Sequence, residues 1–265
     1  MDGPANGPAA AVATTNGVRQ GAEVPGGPLP PPPVVCIRGV CGTDVAAVTA
    51  AAAAAPTGWS PADTWETLSI APDKRRATYD GVGLADADAA SGRTDVPIPS
   101  TAAGVVAYYY ELTVVSAGEC GFIGFGLSKA GTRLRRLPGW EPGTVGYHAD
   151  DGHRFVGSGV GGSYGPTWTT GDTVGCLWEV HRGDVSFTKN GVHLGVARTG
   201  LTANTPADAL YPMVGMRTRG EDVEACWGLS AEDRDAGRGA GGGALQPREG
   251  QPQPRGGQPP PAGWR

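Results

Sequence analysis

The densest run of chemically capable side chains is His148, Asp150, Asp151 and His153, two imidazoles and two carboxylates within six residues. Such a set offers the nitrogen and oxygen ligands of a zinc or iron site. No third, distant ligand is marked, however, and Gly146 and Gly152 place the run in a turn joining two strands. Turn hydrogen bonds account for these polar residues without a metal.

One Gly-x-Ser-x-Gly match, Gly161 to Gly165, has the spacing of a serine nucleophile on a strand-to-helix elbow. It runs into Pro166 and opens no helix, and no base or oxyanion hole accompanies it. Gly157 to Gly162 is glycine-rich but lacks the Lys-Ser/Thr of a phosphate loop, so it reads as a flexible loop. Cys36, Cys41, Cys120, Cys176 and Cys226 are odd in number and contain no CxxC pair, which leaves neither a zinc ribbon nor a dense disulfide framework. A reducing cytoplasm or nucleus fits that usage. Cys120 and Cys176 fall in or beside strand patterns and are expected as small core residues. These readings assign no catalytic residue, no metal ligand and no cofactor.

The better functional candidates stand on predicted loops. Lys129 to Arg136 is a basic loop carrying Arg133, Arg135 and Arg136, followed by Leu137-Pro-Gly-Trp140. A second polar loop, Arg217 to Asp222, carries Arg217, Thr218 and Arg219. Tyr164 and Trp168 flank Gly165-Pro166, where they either cover the end of the fold or line a site.

The elements that hold these loops have the periodicity of strands. Val105 to Val115 is β-branched and aromatic with a single charge, as expected of a central strand buried largely on both faces. Gly121 to Leu127 follows after a short turn and is expected to pair with it antiparallel, its glycines permitting close backbone approach. Val174 to Val180, Val185 to Thr188 and the residues after Asn190-Gly191 form a predicted meander. Asn-Gly suits the positive φ angles of a type I′ hairpin turn, whose twist matches that of the flanking strands. Two further strands are expected at Leu210 to Met216 and Val223 to Trp227. Many short strands and no long amphipathic helix predict two packed antiparallel sheets.

Outside this segment the composition changes. The chain has 265 residues, with 45 Gly and 24 Pro, and its aromatic and β-branched residues cluster in the middle. Residues 1–56, which include Pro30 to Pro33 and the alanine tract Ala46 to Ala55, read as a disordered Ala/Gly/Pro-rich arm. Residues 230–265, rich in Gly, Pro, Gln and Arg, read as a disordered tail. The net charge of -5 argues against a polyanion binder, so nucleic acid is not an expected partner. The alanine tract is too short and too weakly hydrophobic to span a bilayer, and the N-terminus shows neither a basic n-region nor an apolar h-region. No membrane association is expected.

Several motifs occur together and in order: Gly58-Trp-Ser-Pro61, Leu137-Pro-Gly-Trp140, Gly146-Tyr-His-Ala-Asp-Asp-Gly-His153, Tyr164-Gly-Pro-Thr167, Thr170-Gly-Asp172, Phe187-Thr-Lys-Asn-Gly191, Leu194-Gly195, Leu210-Tyr-Pro212 and Val214-Gly215. In these the segment 57–229 resembles the SPRY domain of the Ran-binding-protein-M (RanBPM) family. The resemblance implies an all-β fold, a bent β-sandwich of two antiparallel sheets with a concanavalin-like jelly-roll topology. It also implies a non-catalytic interaction module whose loops at one end bind short peptide segments of partner proteins. RanBPM-like proteins are scaffolds, and many carry LisH, CTLH and CRA helical modules that place them in a ubiquitin-ligase complex. Those modules are not read in this sequence, so only the recognition module is carried over.

By analogy with SPRY peptide binders, the two basic loops are expected to meet near the peptide site, with Arg133, Arg135, Arg136, Leu137, Trp140, Tyr164, Arg217, Thr218 and Arg219 as its candidate residues. Arginine offers planar, bidentate donors and aromatic rings offer rigid contact area, a mixture suited to an acidic or Asn/Asp-rich peptide. A carbohydrate-binding, lectin-like function is the alternative, because the architecture is shared with legume-type lectins and fold alone does not choose the ligand.

Overall fold

The computed structural model describes residues 35–37, 40–42, 44–99, 105–203 and 208–227. Residues 1–34 of the expected arm, the whole expected tail 230–265 and the last two residues of the expected domain, 228–229, lie outside the described residues.

Among the described residues the strands form two antiparallel sheets, as the periodicity predicts. The nine-stranded sheet has the order β14-β13-β12-β7-β16-β5-β4, with β2 on a further stretch of the β7 edge and β1 paired to β2. Its members are β1 (Val35–Ile37), β2 (Val40–Gly42), β4 (Leu68–Ile70), β5 (Arg76–Tyr79), β7 (Val105–Ala117), β12 (Thr173–Glu179), β13 (Asp184–Lys189), β14 (Val192–Arg198) and β16 (Glu221–Cys226). The seven-stranded sheet runs β11-β10-β9-β8-β15-β6-β3. It comprises β3 (Trp59–Thr64), β6 (Ala90–Thr94), β8 (Gly124–Lys129), β9 (Val145–His148), β10 (His153–Val156), β11 (Gly162–Ser163) and β15 (Leu210–Met216).

The strand β7 is central, as its composition predicts, but only one of its faces is fully buried. Tyr108, Tyr110, Leu112 and Val114 point into the core, whereas Thr113 and Val115 on the opposite face are exposed. The expected pairing of β7 with β8 does not occur, because the two strands lie in different sheets. The segment 118–123 carries the chain across, and Gly118 and Gly121, with φ of 59° and 70°, supply the left-handed turns this change requires. Opposed across the core, Tyr110 and Phe125 stand 4.8 Å apart between ring centres, and Tyr110 stacks on Trp227 at 5.6 Å. Trp227 meets Trp59 edge-on at 4.7 Å, so the entry strand and the last described residue close the same aromatic cluster.

The hairpin between β13 and β14 turns on Asn190 and Gly191, with φ of 49° and 79°, the two positive values expected of its Asn-Gly pair.

The expected N-terminal arm over 1–56 departs from the structure between residues 35 and 55. There β1 and β2 extend the large sheet, with Val40 opposite Tyr108 and Cys41 opposite Ala107. A helix α1 follows over Val45–Ala53, its N-terminus capped by Asp44, which accepts from the Ala47 amide at 3.1 Å. Ala51, Ala52 and Ala55 are buried in the core cluster. Alanine is the best helix former and carries little side chain, so the same tract that reads as part of a disordered arm packs closely once a sheet is there to receive it. Among the described residues no helix is long and apolar enough to cross a membrane.

Candidate functional site

The histidine-rich turn is resolved into two separate roles. His148 is 2% exposed, its Nε2 lies 2.8 Å from the Pro138 carbonyl oxygen, and its ring stacks on Phe155 at 4.0 Å. Burial pushes its pKa down to about 4, which keeps the imidazole neutral. His153 instead faces outward, its Nδ1 3.2 Å from Asp151. Among the described residues no group of three or more His, Cys, Asp or Glu side chains is placed to hold a metal ion. Ser163, the serine of the Gly-x-Ser-x-Gly match, lies opposite His153 on the edge pair β10–β11, with no hydrogen bond between their side chains. Cys176 is buried as expected, and burial pushes its thiol pKa up, whereas Cys120 is exposed.

The expected peptide-site residues divide into three groups. Arg133 and Arg136 both reach Glu141, at 3.5 and 3.2 Å, and Arg136 lies over the Trp140 ring at 5.0 Å. Trp140 packs in turn against His148 and Phe155, and Leu137 is 2% exposed. This group braces the turn before β9. Tyr164 is held elsewhere, donating its hydroxyl to the Gly195 carbonyl at 2.6 Å and accepting from the Phe187 amide at 3.0 Å.

The third group converges on a loop that sequence reading passes over. Leaving β5, the chain forms the loop 80–85 and a 3-10 turn at Asp86–Asp88. Several bonds hold this loop. Asp88 Oδ2 accepts from the amides of Leu84 and Ala85 at 2.8 and 2.9 Å, and Tyr79 donates its hydroxyl to the Asp88 carbonyl at 2.8 Å. Ser69 donates to Asp80. Gly83 has φ of 76°, and a Cβ there would stand 2.6 Å from the Arg217 carbonyl, so the loop backbone lies directly on the turn between β15 and β16.

Each basic loop reaches this segment at neighbouring residues. From one, Arg135 donates Nε to the Ala87 carbonyl at 2.6 Å and lies over the Trp65 ring at 5.8 Å. From the other, Arg217 pairs with Asp86 and lies over Phe122 at 3.6 Å. The Arg217 turn is locked from beneath by Glu221, fully buried, which accepts from the amides of Arg217 and Thr218 at 2.7 and 2.8 Å and from the Thr218 hydroxyl. Thr218 is therefore a buried brace, while Arg219 is exposed beside it.

Between these parts lies a cleft of ≈ 350 Å³ lined by Trp65, Glu66, Thr67, Tyr79–Val82, Ala87, Asp88 and Arg135. Val82 and Leu84 on its loop are 71% and 70% exposed. Its lining carries three carboxylates and one guanidinium, not the cationic surface expected for an acidic peptide. Trp65, Asp80 and Val82 belong to no motif, so their residue types and spacing do not mark them as site residues. The available signal was two apolar residues, Val82 and Leu84, in a Gly/Asp-rich loop with no strand period.

A second hollow of ≈ 450 Å³ runs between the open edges of the sheets, lined by Arg154, Val156, Val160, Gly162 and Val196–Thr199. There Arg154 is already spent on the β14 edge, donating to the Ala197 carbonyl at 2.8 Å. None of the expected loop residues lines it.

Residues 107–230 match the SPRY domain family. These residues form a SPRY domain, a fold that generally serves protein–protein interaction. Over 173 residues the chain is 45% identical to human Ran-binding protein 9 and 46% identical to Ran-binding protein 10 of Danio rerio, in each case across 65% of this chain. The Ran-binding protein M homolog of Arabidopsis thaliana is 32% identical over 156 residues. The chain spans only 23% and 27% of the two vertebrate proteins and 32% of the plant one. Among solved structures, a human SPRY domain superposes with a TM-score of 0.51 at 27% identity, covering 62% of this chain and 98% of that one. The SPRY domain of human HERC1 shares the fold, with a TM-score of 0.52 at 19% identity over 64% of this chain and 97% of that one.

Proposed function

We propose that this domain is a non-catalytic recognition module that seats a short peptide segment of a partner protein in the cleft beside loop 80–88. The observation that carries the reading is the loop itself. Its backbone is pinned by Asp88, Tyr79 and the Arg217 turn, yet it holds Val82 and Leu84 out in solvent, Val82 as part of the same cleft lining as Trp65 and Tyr79. Exposed apolar side chains on a backbone already held in place bind with less ordering cost than those on a free loop, which favours docking over mere tolerance of surface hydrophobics. The family relationship supports a scaffold role, with substrate reception for a ubiquitin ligase as its most specific form.

The reading needs no bond chemistry. His148 is committed to Pro138 and Ser163 has no hydrogen-bonded base, so the polar residues that suggest catalysis are engaged structurally or stand alone.

The test is selection of displayed peptides on the full chain, with the double variant Val82→Gln, Leu84→Gln as comparison. Both changes alter only exposed side chains. Loss of at least ten-fold in affinity for the selected peptides supports the reading. Retained affinity in a variant with unchanged melting temperature overturns it.

A further inference from the structure

The charge around the cleft has a sign, and it is opposite to the sign of the two loops that frame it. Glu66, Asp80 and Asp88 line the cleft, against the single lining guanidinium of Arg135, and Asp86, next in sequence to the lining residue Ala87, has its side chain 70% exposed. The second nearby cation, Arg217, is paired with Asp86 and lies over the Phe122 ring. Arg135 directs its Nε to the Ala87 carbonyl and lies over the Trp65 ring. Both arginines thus act first as ties that hold the loop.

The carboxylates are also bonded, but to neutral donors. Asp88 receives the amides of Leu84 and Ala85, and Asp80 receives the Ser69 hydroxyl. A neutral donor fixes a carboxylate without cancelling its charge, so Asp80 and Asp88 remain oriented anions beside the apolar surface of Trp65, Tyr79 and Val82. Glu66 is exposed in the same lining.

Resting on the peptide-docking reading above, we infer that the cleft takes a segment in which an apolar residue is flanked by lysine or arginine. The apolar residue lies against Val82 and the Trp65 wall, and the flanking cations face Glu66, Asp80 and Asp88. An acidic or Asn/Asp-rich segment would place like charge against these carboxylates. Exposed charge pairs each contribute little, so discrimination comes from several acting together and weakens as salt shortens the screening length.

The experiment selects peptides from an unbiased display library on the full chain, and in parallel on the variant Glu66→Lys, Asp80→Lys. Two synthetic nonapeptides then measure the difference directly, one alternating lysine with leucine and valine, the other identical with glutamate for lysine. The expected result is enrichment of Lys/Arg beside an apolar residue on the native chain. The lysine peptide is expected to bind at least ten-fold more tightly than the glutamate peptide at about 50 mM salt, falling several-fold at about 500 mM, and the double variant to reverse the preference. Selection of acidic or uncharged peptides that Val82→Gln, Leu84→Gln abolishes would overturn the charge inference and leave the docking reading standing. Absence of selected peptides, or peptides indifferent to every one of these substitutions, overturns both.

Discussion

The guanidinium of Arg217 lies 3.6 Å from the centre of the Phe122 ring while pairing with Asp86, so one side chain joins the β7–β8 crossover to the loop that walls the cleft. Burial of its stem, at 15% side-chain exposure, and the short approach to the ring make this contact stronger than an ordinary surface ion pair.

Replacing Arg217 by Ala is expected to cost about 1–2 kcal/mol in stability, through loss of the cation–π contact and of Asp86's partner. The larger effect is local. Hydrogen exchange of the amides of Leu84 and Ala85 should accelerate while that of β7 follows only the global change. Equal acceleration throughout would show that Arg217 does not anchor the loop.

Arg135 and Arg136 are neighbours with separable consequences. Arg136→Ala removes a contact with Trp140 and Glu141 and is expected to lower the melting temperature by a few degrees with peptide affinity unchanged. Arg135→Ala, on the cleft, is expected to change peptide affinity with little effect on melting. Calorimetry and anisotropy on the two variants check the division.

The pH dependence of stability contains a contribution from His148. Its folded pKa, about 4, lies below the ordinary value of 6.5 because burial disfavours the cation. A depressed folded pKa means that stability is fully present above about pH 6.5 and is lost as pH falls toward 4, by an amount on the order of 3 kcal/mol. His148→Gln should flatten that limb of the denaturation midpoint against pH. An unchanged slope would assign the acid lability to other groups.

Two glycines separate strain from space. Gly191 has φ of 79° with nothing within 4 Å of a Cβ, so Gly191→Ala pays only the left-handed backbone term, about 1 kcal/mol. At Gly126 a Cβ would stand 2.0 Å from the Val145 carbonyl oxygen inside the β8–β9 ladder. Gly126→Ala is expected to abolish folding, read as loss of the cooperative thermal transition.

What the sequence discloses here follows the range of the interaction. The Asn190-Gly191 hairpin and the meander around it are legible because two adjacent residues decide the turn. The aromatic alternation of β7 discloses a central strand, yet not its partners, because Gly118 and Gly121 permit either a hairpin or a change of sheet. The alanine tract is ambiguous for the same kind of reason, since nothing local distinguishes a spacer from a helix that packs on β2 and β7. The cleft is the least legible part. Its walls come from Trp65, Tyr79–Val82 and Arg135, distant in sequence and free of any shared motif, so of these only Arg135 is marked by the basic loop that carries it. Leu137 and Thr218, both 2% exposed, show that a loop position does not by itself make a contact residue.

The central claim is that a peptide seats against loop 80–88. Its most direct test is amide chemical-shift mapping of the labelled full chain during titration with a selected peptide. The account predicts the largest shifts at Trp65, Thr67 and Gly81 through Ala87, with smaller ones at Arg135. Shifts confined to Arg154, Val160 and Val196 through Thr199, around the hollow between the sheet edges, would contradict it.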